Sequence, residues 1–190
     1  MRRSLNANLP PTVRVLSADE APDGFHARFD SRGKTYRYRI WNADVFDPFE
    51  RRCAWHVYGA LDLDAMRAAA ALLEGTHDFA AFQGPKSDVR STVRNVWTSA
   101  LRIADCGLRI EERNGPHSAL RIPHFALLTY DITGDGFLRH MVRTIAGTLV
   151  EIGRGRRPPD WMNDVLASRD RVAAGQTAPA EGLFLVAVHY

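Results

Sequence analysis

The sequence contains little cysteine. Cys53 and Cys106 are the only two in 190 residues, and they do not form a Cys-x-x-Cys pair. This spacing excludes a zinc finger and a disulfide framework, and it favours a reducing cytoplasm. No apolar run approaches the roughly 18 residues that cross a bilayer, and the first residues lack the apolar core of a secretory signal. The sequence therefore predicts a cytoplasmic protein with no membrane span.

Signatures of metal and nucleotide sites are missing as well. The chain has no GxGxxG or P-loop motif and no GxSxG nucleophile elbow. Its 7 histidines form neither HxH nor HExxH, and none lies near a cysteine at ligand spacing. We therefore expect no metal site.

Lysine is scarce and arginine is not. Lys34 and Lys86 are the only lysines among the 25 basic residues, so the other 23 are arginine, and the formal net charge is +3. Planar guanidinium groups suit phosphate and base stacking. A GC-rich genome would favour arginine codons equally well, so the composition permits nucleic-acid binding without proving it.

The hydrophobic pattern predicts an α+β fold whose sheet is largely antiparallel, with two to three helices on one face. The length suits one domain, and a polar Pro/Gly break at 18–24 is the best candidate boundary. The predicted strands cover 11–17, part of 25–42, 92–104, 108–113, 121–133 and 183–190, and the predicted helices cover 62–75, 137–151 and 159–168.

The strand within 25–42 alternates aromatic and basic residues. Tyr36 and Tyr38 fall on one face, and Arg37 and Arg39 on the other. Such a strand could stack bases and follow phosphates. It could equally be an edge strand with its tyrosines in the core and its arginines in water, and the pattern leaves both interpretations open.

The predicted helix 137–151 carries the sharpest group of polar residues. Helical spacing of three and four would place Arg139, His140 and Arg143 on one face, opposite the apolar stripe. An arginine here could pair with a catalytic carboxylate or a phosphate. From spacing alone, a solvated helix face is the favoured interpretation.

Several segments, taken together, resemble the bacterial tRNA pseudouridine synthase A family in its C-terminal two-thirds. They are LNANLP at 5–10, FHARFDSRGKTYRYRIWN at 25–42, GTHDFAAF at 75–82, RSTVRNV at 90–96, DGFLRHMVRTIAGTLVEIGRG at 135–155 and APAEGLFLVAVHY at 178–190. The segments follow the order of the family. The resemblance implies the C-terminal half of the pseudouridine synthase fold, with 1–22 a remnant of the N-terminal half and 23–190 the C-terminal domain.

The resemblance also implies an isomerase that converts uridines of the tRNA anticodon stem-loop (tRNA positions 38–40) to pseudouridine. Such enzymes use no cofactor and no metal, and they act as cytoplasmic homodimers that bind tRNA. An aspartate attacks a flipped-out nucleotide, the uracil detaches and turns, and its carbon 5 replaces nitrogen 1 at the sugar.

Site residues follow from the same resemblance, position by position. Arg143 matches the arginine that pairs with the nucleophilic aspartate. Tyr36 matches the tyrosine that contacts the target base, and Arg28 matches an arginine lining the cleft. Arg37, Arg139 and His140 complete the expected substrate-binding set.

One departure from the family is serious. The nucleophile of the family lies in an Arg-Thr-Asp-Ala-Gly-Val-His motif upstream of LNANLP, and no Arg-Thr-Asp occurs in this sequence. Asp30, Asp78 and Asp135 belong to other motifs. Truncation is the favoured explanation, and the chain as given is expected to be inactive alone. The alternatives are an RNA-binding module without catalysis and an inert fragment that cannot fold.

Overall fold

The chain divides into two compact units, residues 1–31 and residues 32–190. The structure is a computed structural model, and it describes residues 1–85, 89–104 and 125–190, with the side chains of residues 125 and 126 left aside. Of the predicted strands, 108–113 and the first residues of 121–133 lie outside the described residues. The predicted boundary at residue 22 remains a prediction.

The first unit contains one helix, α1 (Arg2–Asn8), and no strand within residues 1–31. The strand predicted over 11–17 is therefore wrong. The Asn6 side chain occupies both backbone groups of Val15: its Nδ2 donates to the carbonyl at 2.9 Å and its Oδ1 accepts from the amide at 2.7 Å. These are the groups through which a strand would pair with a neighbour.

The described residues of the second unit form a six-stranded sheet and three α-helices. In chain order its elements are β1 (Gly33–Ala43), β2 (Trp55–Val57), α2 (Leu63–Ala71), β3 (Gly75–Asp78), β4 (Val93–Ile103), β5 (Phe125–Gly134), α3 (Met141–Gly153), α4 (Trp161–Ser168) and β6 (Leu183–His189). The strand order is β2-β1-β5-β4-β3, with β6 also paired to β1. Only β1 and β2 are parallel among the described pairs. The predicted α+β class with a largely antiparallel sheet is confirmed.

Strand β1 lies at the centre of the fold, and its alternation has the predicted consequence. Tyr38 and Ile40 are fully buried beside Leu128 and Tyr130 of β5. These side chains form one core with α2 and α3. On the opposite face Arg37 pairs with Asp131 of β5, and Arg39 pairs with Glu50.

Helix α2 begins as predicted and ends earlier. The Asp62 carboxylate caps it by accepting a hydrogen bond from the Ala65 amide at 2.9 Å. The helix ends at Ala71. Gly75, the predicted stop, has a φ of +100° and begins β3, which pairs with β4. Residues 75–78 therefore form a strand, because β4 offers them backbone partners.

Helix α3 is the central helix and begins four residues later than predicted. Residues 137–140 precede it, and His140 adopts a left-handed backbone conformation with φ 63° and ψ 0°. A residue in that conformation cannot continue a right-handed helix. Arg139 and His140 therefore do not share a helix face with Arg143, contrary to the prediction.

Candidate functional site

A small cleft opens where α3 begins, next to β1 and β6. Its volume is about 240 Å³, and it is lined by Tyr36, Phe137, Leu138, Arg139, His140, Met141, Val142 and Leu183. Aromatic and aliphatic groups form its walls, while a phenol, an imidazole and a guanidinium supply its polar groups. Apolar walls with a few polar groups are typical of ligand sites.

Tyr36 extends from β1 into the cleft and is half-buried. Its ring meets Phe137 edge to face, with 5.1 Å between the ring centroids. This geometry fixes the plane of the tyrosine ring. The Tyr36 hydroxyl forms no hydrogen bond with the described residues, so it can serve a bound group.

The segment before α3 is held by the backbone of Gly84. The Gly84 amide donates to the carbonyl of Arg139 at 2.7 Å. A Cβ at position 84 would lie 2.5 Å from Nδ1 of His140. Only glycine permits this approach, which places Arg139 and His140 at the mouth of the cleft.

Arg143, in the first turn of α3, makes reciprocal bonds with Ala178. Its Nε donates to the Ala178 carbonyl at 2.7 Å, and the Ala178 amide donates to the Arg143 carbonyl at 3.1 Å. The two terminal nitrogens of Arg143 form no hydrogen bond with the described residues. The guanidinium is thus held through its Nε, and its two terminal nitrogens can bind another group.

Residues 174–179, called the strap from here on, lie directly on α3. A Cβ on Gly147 would collide with the carbonyl oxygen of Gln176, and a Cβ on Gly175 would come within 2.7 Å of the Thr148 Cα. The Thr148 hydroxyl accepts a hydrogen bond from the Gly175 amide at 3.0 Å. Two glycines therefore let strap and helix touch, and this contact sets the position of Ala178.

The electrostatics at this end of α3 are positive. Burial, and then the charges of Arg143, Arg139 and Arg171, hold the pKa of His140 below its ordinary value. Arg171 donates to the Gly175 carbonyl and the Thr177 hydroxyl. Neither Arg143 nor Arg171 forms an ion pair with a carboxylate of the described residues. Their positive charges remain available to an anionic partner.

The structure brings together most of the predicted site. Tyr36, Arg139 and His140 line one cleft, and Arg143 lies close enough to influence the titration of His140. Arg143 is half-buried and bonded to the strap, so the favoured interpretation of a solvated helix face does not describe it.

Arg37 does not line the cleft. It is on the opposite face of β1, where it makes a bidentate pair with Asp131 at 2.7 and 2.9 Å. Arg28 belongs to the other unit, residues 1–31, in which its guanidinium lies 5.8 Å from the centroid of the Phe29 ring.

Sequence reasoning missed three contributors: Gly84, the carbonyl of Ala178, and Leu183. Each is remote in sequence from the group it supports, and each acts through backbone or apolar contact. Only the segment 178–190 carried a signal, as part of the resemblance.

The described residues contain no cluster of three or more His, Cys, Asp or Glu side chains able to hold a metal ion. Within the same ranges, no helix combines the length and apolar character that a bilayer crossing requires.

Comparison with known proteins decides the family. The sequence profile of the family described as tRNA pseudouridine synthase matches residues 69–190, which include β4, α3, the strap and β6. The chain is also 42% identical over 202 residues to a protein named tRNA pseudouridine synthase A from Nitratidesulfovibrio vulgaris, covering all of this chain and 71% of the relative.

The chain belongs to the tRNA pseudouridine synthase family. Further tRNA pseudouridine synthases A with similar sequences come from Oleidesulfovibrio alaskensis, at 44% identity, and from Geobacillus kaustophilus, at 40%. Each match covers the whole of this chain and 66% of the relative. The chain therefore spans only part of its relatives: between 63% and 71% of the length of three similar tRNA pseudouridine synthases A.

Proposed function

We propose that this chain is the C-terminal part of an isomerase that converts uridines of the tRNA anticodon stem-loop to pseudouridine. The observation that carries the proposal is the state of Arg143. Its Nε is fixed on the Ala178 carbonyl, and its outer nitrogens have no partner among the described residues. A guanidinium held this way suits a carboxylate that must stay ionised and oriented, as a nucleophile does.

The cleft beside Arg143 has groups suited to a flipped-out base. Tyr36 offers an aromatic edge with an unpaired hydroxyl, fixed by Phe137 at 5.1 Å. Burial and three neighbouring arginines lower the pKa of His140, which favours the neutral imidazole, and a neutral ring can both donate and accept a hydrogen bond. Arg139 supplies charge for phosphate. We propose Arg28 and Arg37 as further RNA contacts.

The proposed chemistry needs no cofactor. The carboxylate of an aspartate forms a bond to the sugar carbon of the nucleotide while the glycosidic bond from N1 breaks. The uracil turns, and its C5 bonds to the sugar carbon as the aspartate is released. The proton from C5 leaves to solvent and N1 takes up a proton from solvent, so that the product is an isomer of uridine. The residues of this chain orient the base and the carboxylate throughout.

The described aspartates considered in the sequence are all engaged. The Asp78 carboxylate accepts from Thr92 and pairs with Arg169, which together with the Ala80 amide hold its pKa below the ordinary value. Asp135 accepts from the Asn95 amide, and Asp30 from the amide of His26. None serves Arg143. We therefore propose that these 190 residues by themselves do not form pseudouridine.

The test is release of tritium from tRNA labelled at uridine C5, because replacement of that hydrogen accompanies the isomerisation. Two proteins are compared: the 190-residue chain, and a chimera in which it follows the N-terminal third of the Nitratidesulfovibrio vulgaris relative. We expect release with the chimera alone. Release by the 190-residue chain would contradict the missing nucleophile. An inactive chimera that melts cooperatively and binds tRNA would contradict the isomerase proposal.

A second candidate function is a non-catalytic RNA-binding module, favoured by the absence of an Arg-Thr-Asp motif. It predicts tRNA binding that weakens steeply with salt and an inactive chimera. Under either function we propose a cytoplasmic protein, where tRNA is found, and homodimer formation by the complete enzyme.

A further inference from the structure

A second cavity lies beside α4 and is lined in part by strap residues 174–176. It is open, has a volume of about 510 Å³ and shares no lining residue with the Tyr36 cleft. Its lining includes Glu151, Arg157, Trp161, Val172 and Gln176. The function proposed above makes no use of this cavity.

In this cavity the Arg157 guanidinium lies over the face of the Trp161 ring. The Arg157 guanidinium carbon lies 5.2 Å from the centroid of the Trp161 ring. Arg157 is exposed, and it forms no hydrogen bond or ion pair with the described residues. A guanidinium over an indole leaves flat surface and forked donors for a ligand, the combination on which nucleic-acid bases stack.

The charge in this cavity favours an anion. Glu151 is the acidic group of the cavity, and it is engaged by Arg156 at 3.0 Å and by Arg154 at 3.5 Å. Because Arg154 and Arg156 pair with Glu151, the charge of this carboxylate is compensated. The Arg157 guanidinium is then the charged group of the cavity lining that has no ion pair among the described residues.

Gln176, in the lining of the same cavity, supplies an amide group that can recognise the edge of a base. The Gln176 side chain is exposed, and its amide forms no hydrogen bond with the described residues. A carboxamide both donates and accepts, so it can pair with the edge of an unstacked base. The Gln176 carbonyl is meanwhile packed on Gly147, so the backbone that carries this side chain is fixed.

We propose that this cavity is a second RNA contact, which binds one unpaired nucleotide of the tRNA. Its base stacks on the Arg157–Trp161 pair, its edge meets Gln176, and a flanking phosphate contacts Arg157. The inference rests on the proposed function, since it takes the polymer to be the tRNA substrate. It adds an RNA contact at strap residues 174–176, whereas Arg143 is bonded to the strap at Ala178.

The test measures binding of fluorescein-labelled hexauridylate to the 190-residue chain by anisotropy. Arg157→Ala is the primary variant, because an exposed side chain can be removed without opening the core. Arg51→Ala is the matched control, since Arg51 is also exposed and forms no ion pair with the described residues. Trp161→Leu removes the ring while keeping an apolar side chain, with a thermal melt to verify folding.

We expect Arg157→Ala to weaken hexauridylate binding roughly 5- to 50-fold, as for the loss of a stacked base. Arg157→Lys keeps the charge without the planar fork and should fall between wild type and Arg157→Ala. Arg51→Ala should change the affinity by less than about 2-fold at moderate salt, as for one remote charge. Trp161→Leu should resemble Arg157→Ala.

Several results would overturn the inference. Equal losses in Arg157→Ala and Arg51→Ala would mean that only net charge matters. Competition by inorganic phosphate or by free uridine monophosphate as effective as that by hexauridylate would mean a site for a small anion or a free nucleotide. In each case, tRNA binding by the wild-type chain would leave the proposed function standing. A wild-type chain that binds neither hexauridylate nor tRNA would contradict both.

Discussion

Two hydrogen bonds join Arg143 of helix α3 to Ala178 of the strap. The arginine side chain donates to the alanine carbonyl at 2.7 Å, and the alanine amide donates to the arginine carbonyl at 3.1 Å. The backbone bond holds Ala178 in place, so the carbonyl that accepts from the guanidinium is fixed relative to α3. The charge proposed to serve catalysis is therefore tied to a backbone 35 residues away in sequence.

Arg143→Ala in the chimera should lower the single-turnover rate by about 100-fold or more, the scale of losing one preorganised charged donor. Affinity for tRNA should change little, since other arginines contribute to it. Rapid-quench kinetics and filter binding on the same preparations separate the two effects. Arg143→Lys should restore only part of the rate, because a single ammonium cannot bond Ala178 and orient a carboxylate with a planar fork. A near-wild-type rate for Arg143→Ala would remove the proposed role.

Gly147→Ala should destabilise the 190-residue chain by about 2–4 kcal/mol, since the added methyl group meets backbone that cannot yield. The collision is with the Gln176 carbonyl. Gly153→Ala, in the same helix, is the control: its Cβ would meet the Sδ of Met66 at 2.5 Å, and that side chain is flexible. We expect a cost smaller by about 1 kcal/mol or more. Urea denaturation measures both, and equal costs would contradict a rigid strap.

The imidazole of His140 should titrate below its ordinary value of about 6.5, because burial and the charges of Arg143, Arg139 and Arg171 lower its pKa. NMR titration of the ring protons measures the midpoint. In Arg143→Ala the midpoint should rise, since one of the opposing charges is gone. An unchanged midpoint would mean that Arg143 does not face His140.

Stability should follow the same titration. The unfolded chain binds a proton at His140 near pH 6.5 while the folded chain resists it, so the stability linked to this group falls as the pH drops below about 6.5. His140→Asn removes the titration, and asparagine tolerates the left-handed backbone. Its unfolding free energy should therefore depend less steeply on pH in that window. Identical slopes for both proteins would contradict the linkage.

Strand β6 should promote association of the isolated chain. Among the described residues of 32–190 it pairs only with β1, and Leu185 and Val186 are 53% and 52% exposed. An apolar strand edge with free backbone groups invites pairing between chains. Val186→Lys should lower the apparent mass in light scattering at high concentration. A wild-type chain that stays monodisperse and monomeric, with a cooperative melt, would contradict this prediction.

The local pattern of the sequence predicted the long strands of the sheet and its core residues, but not the short strands β2 and β3. Alternation placed Tyr38 and Ile40 of β1 inside and Arg37 and Arg39 outside, because successive side chains of a strand point to opposite faces. The Asp62 cap fixed the start of α2. The motifs that resemble the family also indicated Tyr36 and Arg143 as candidate site residues, because the chemistry of a side chain follows from its residue type.

Tertiary structure decided how those residues meet. The left-handed conformation of His140 delays the start of the predicted helix 137–151 to Met141, and it depends on packing against Gly84, 56 residues away in sequence. The close approach of the strap to α3 depends on Gly147 and Gly175. Because glycine has no side chain, neither residue contributes to the hydrophobic periodicity from which helices are predicted. The pairing of Arg37 with Asp131 required the register of β1 on β5, which no local pattern encodes. Contacts between residues far apart in the chain are selected by the packing of the whole sheet and its helices, and that selection placed the guanidinium of Arg143 on the carbonyl of Ala178.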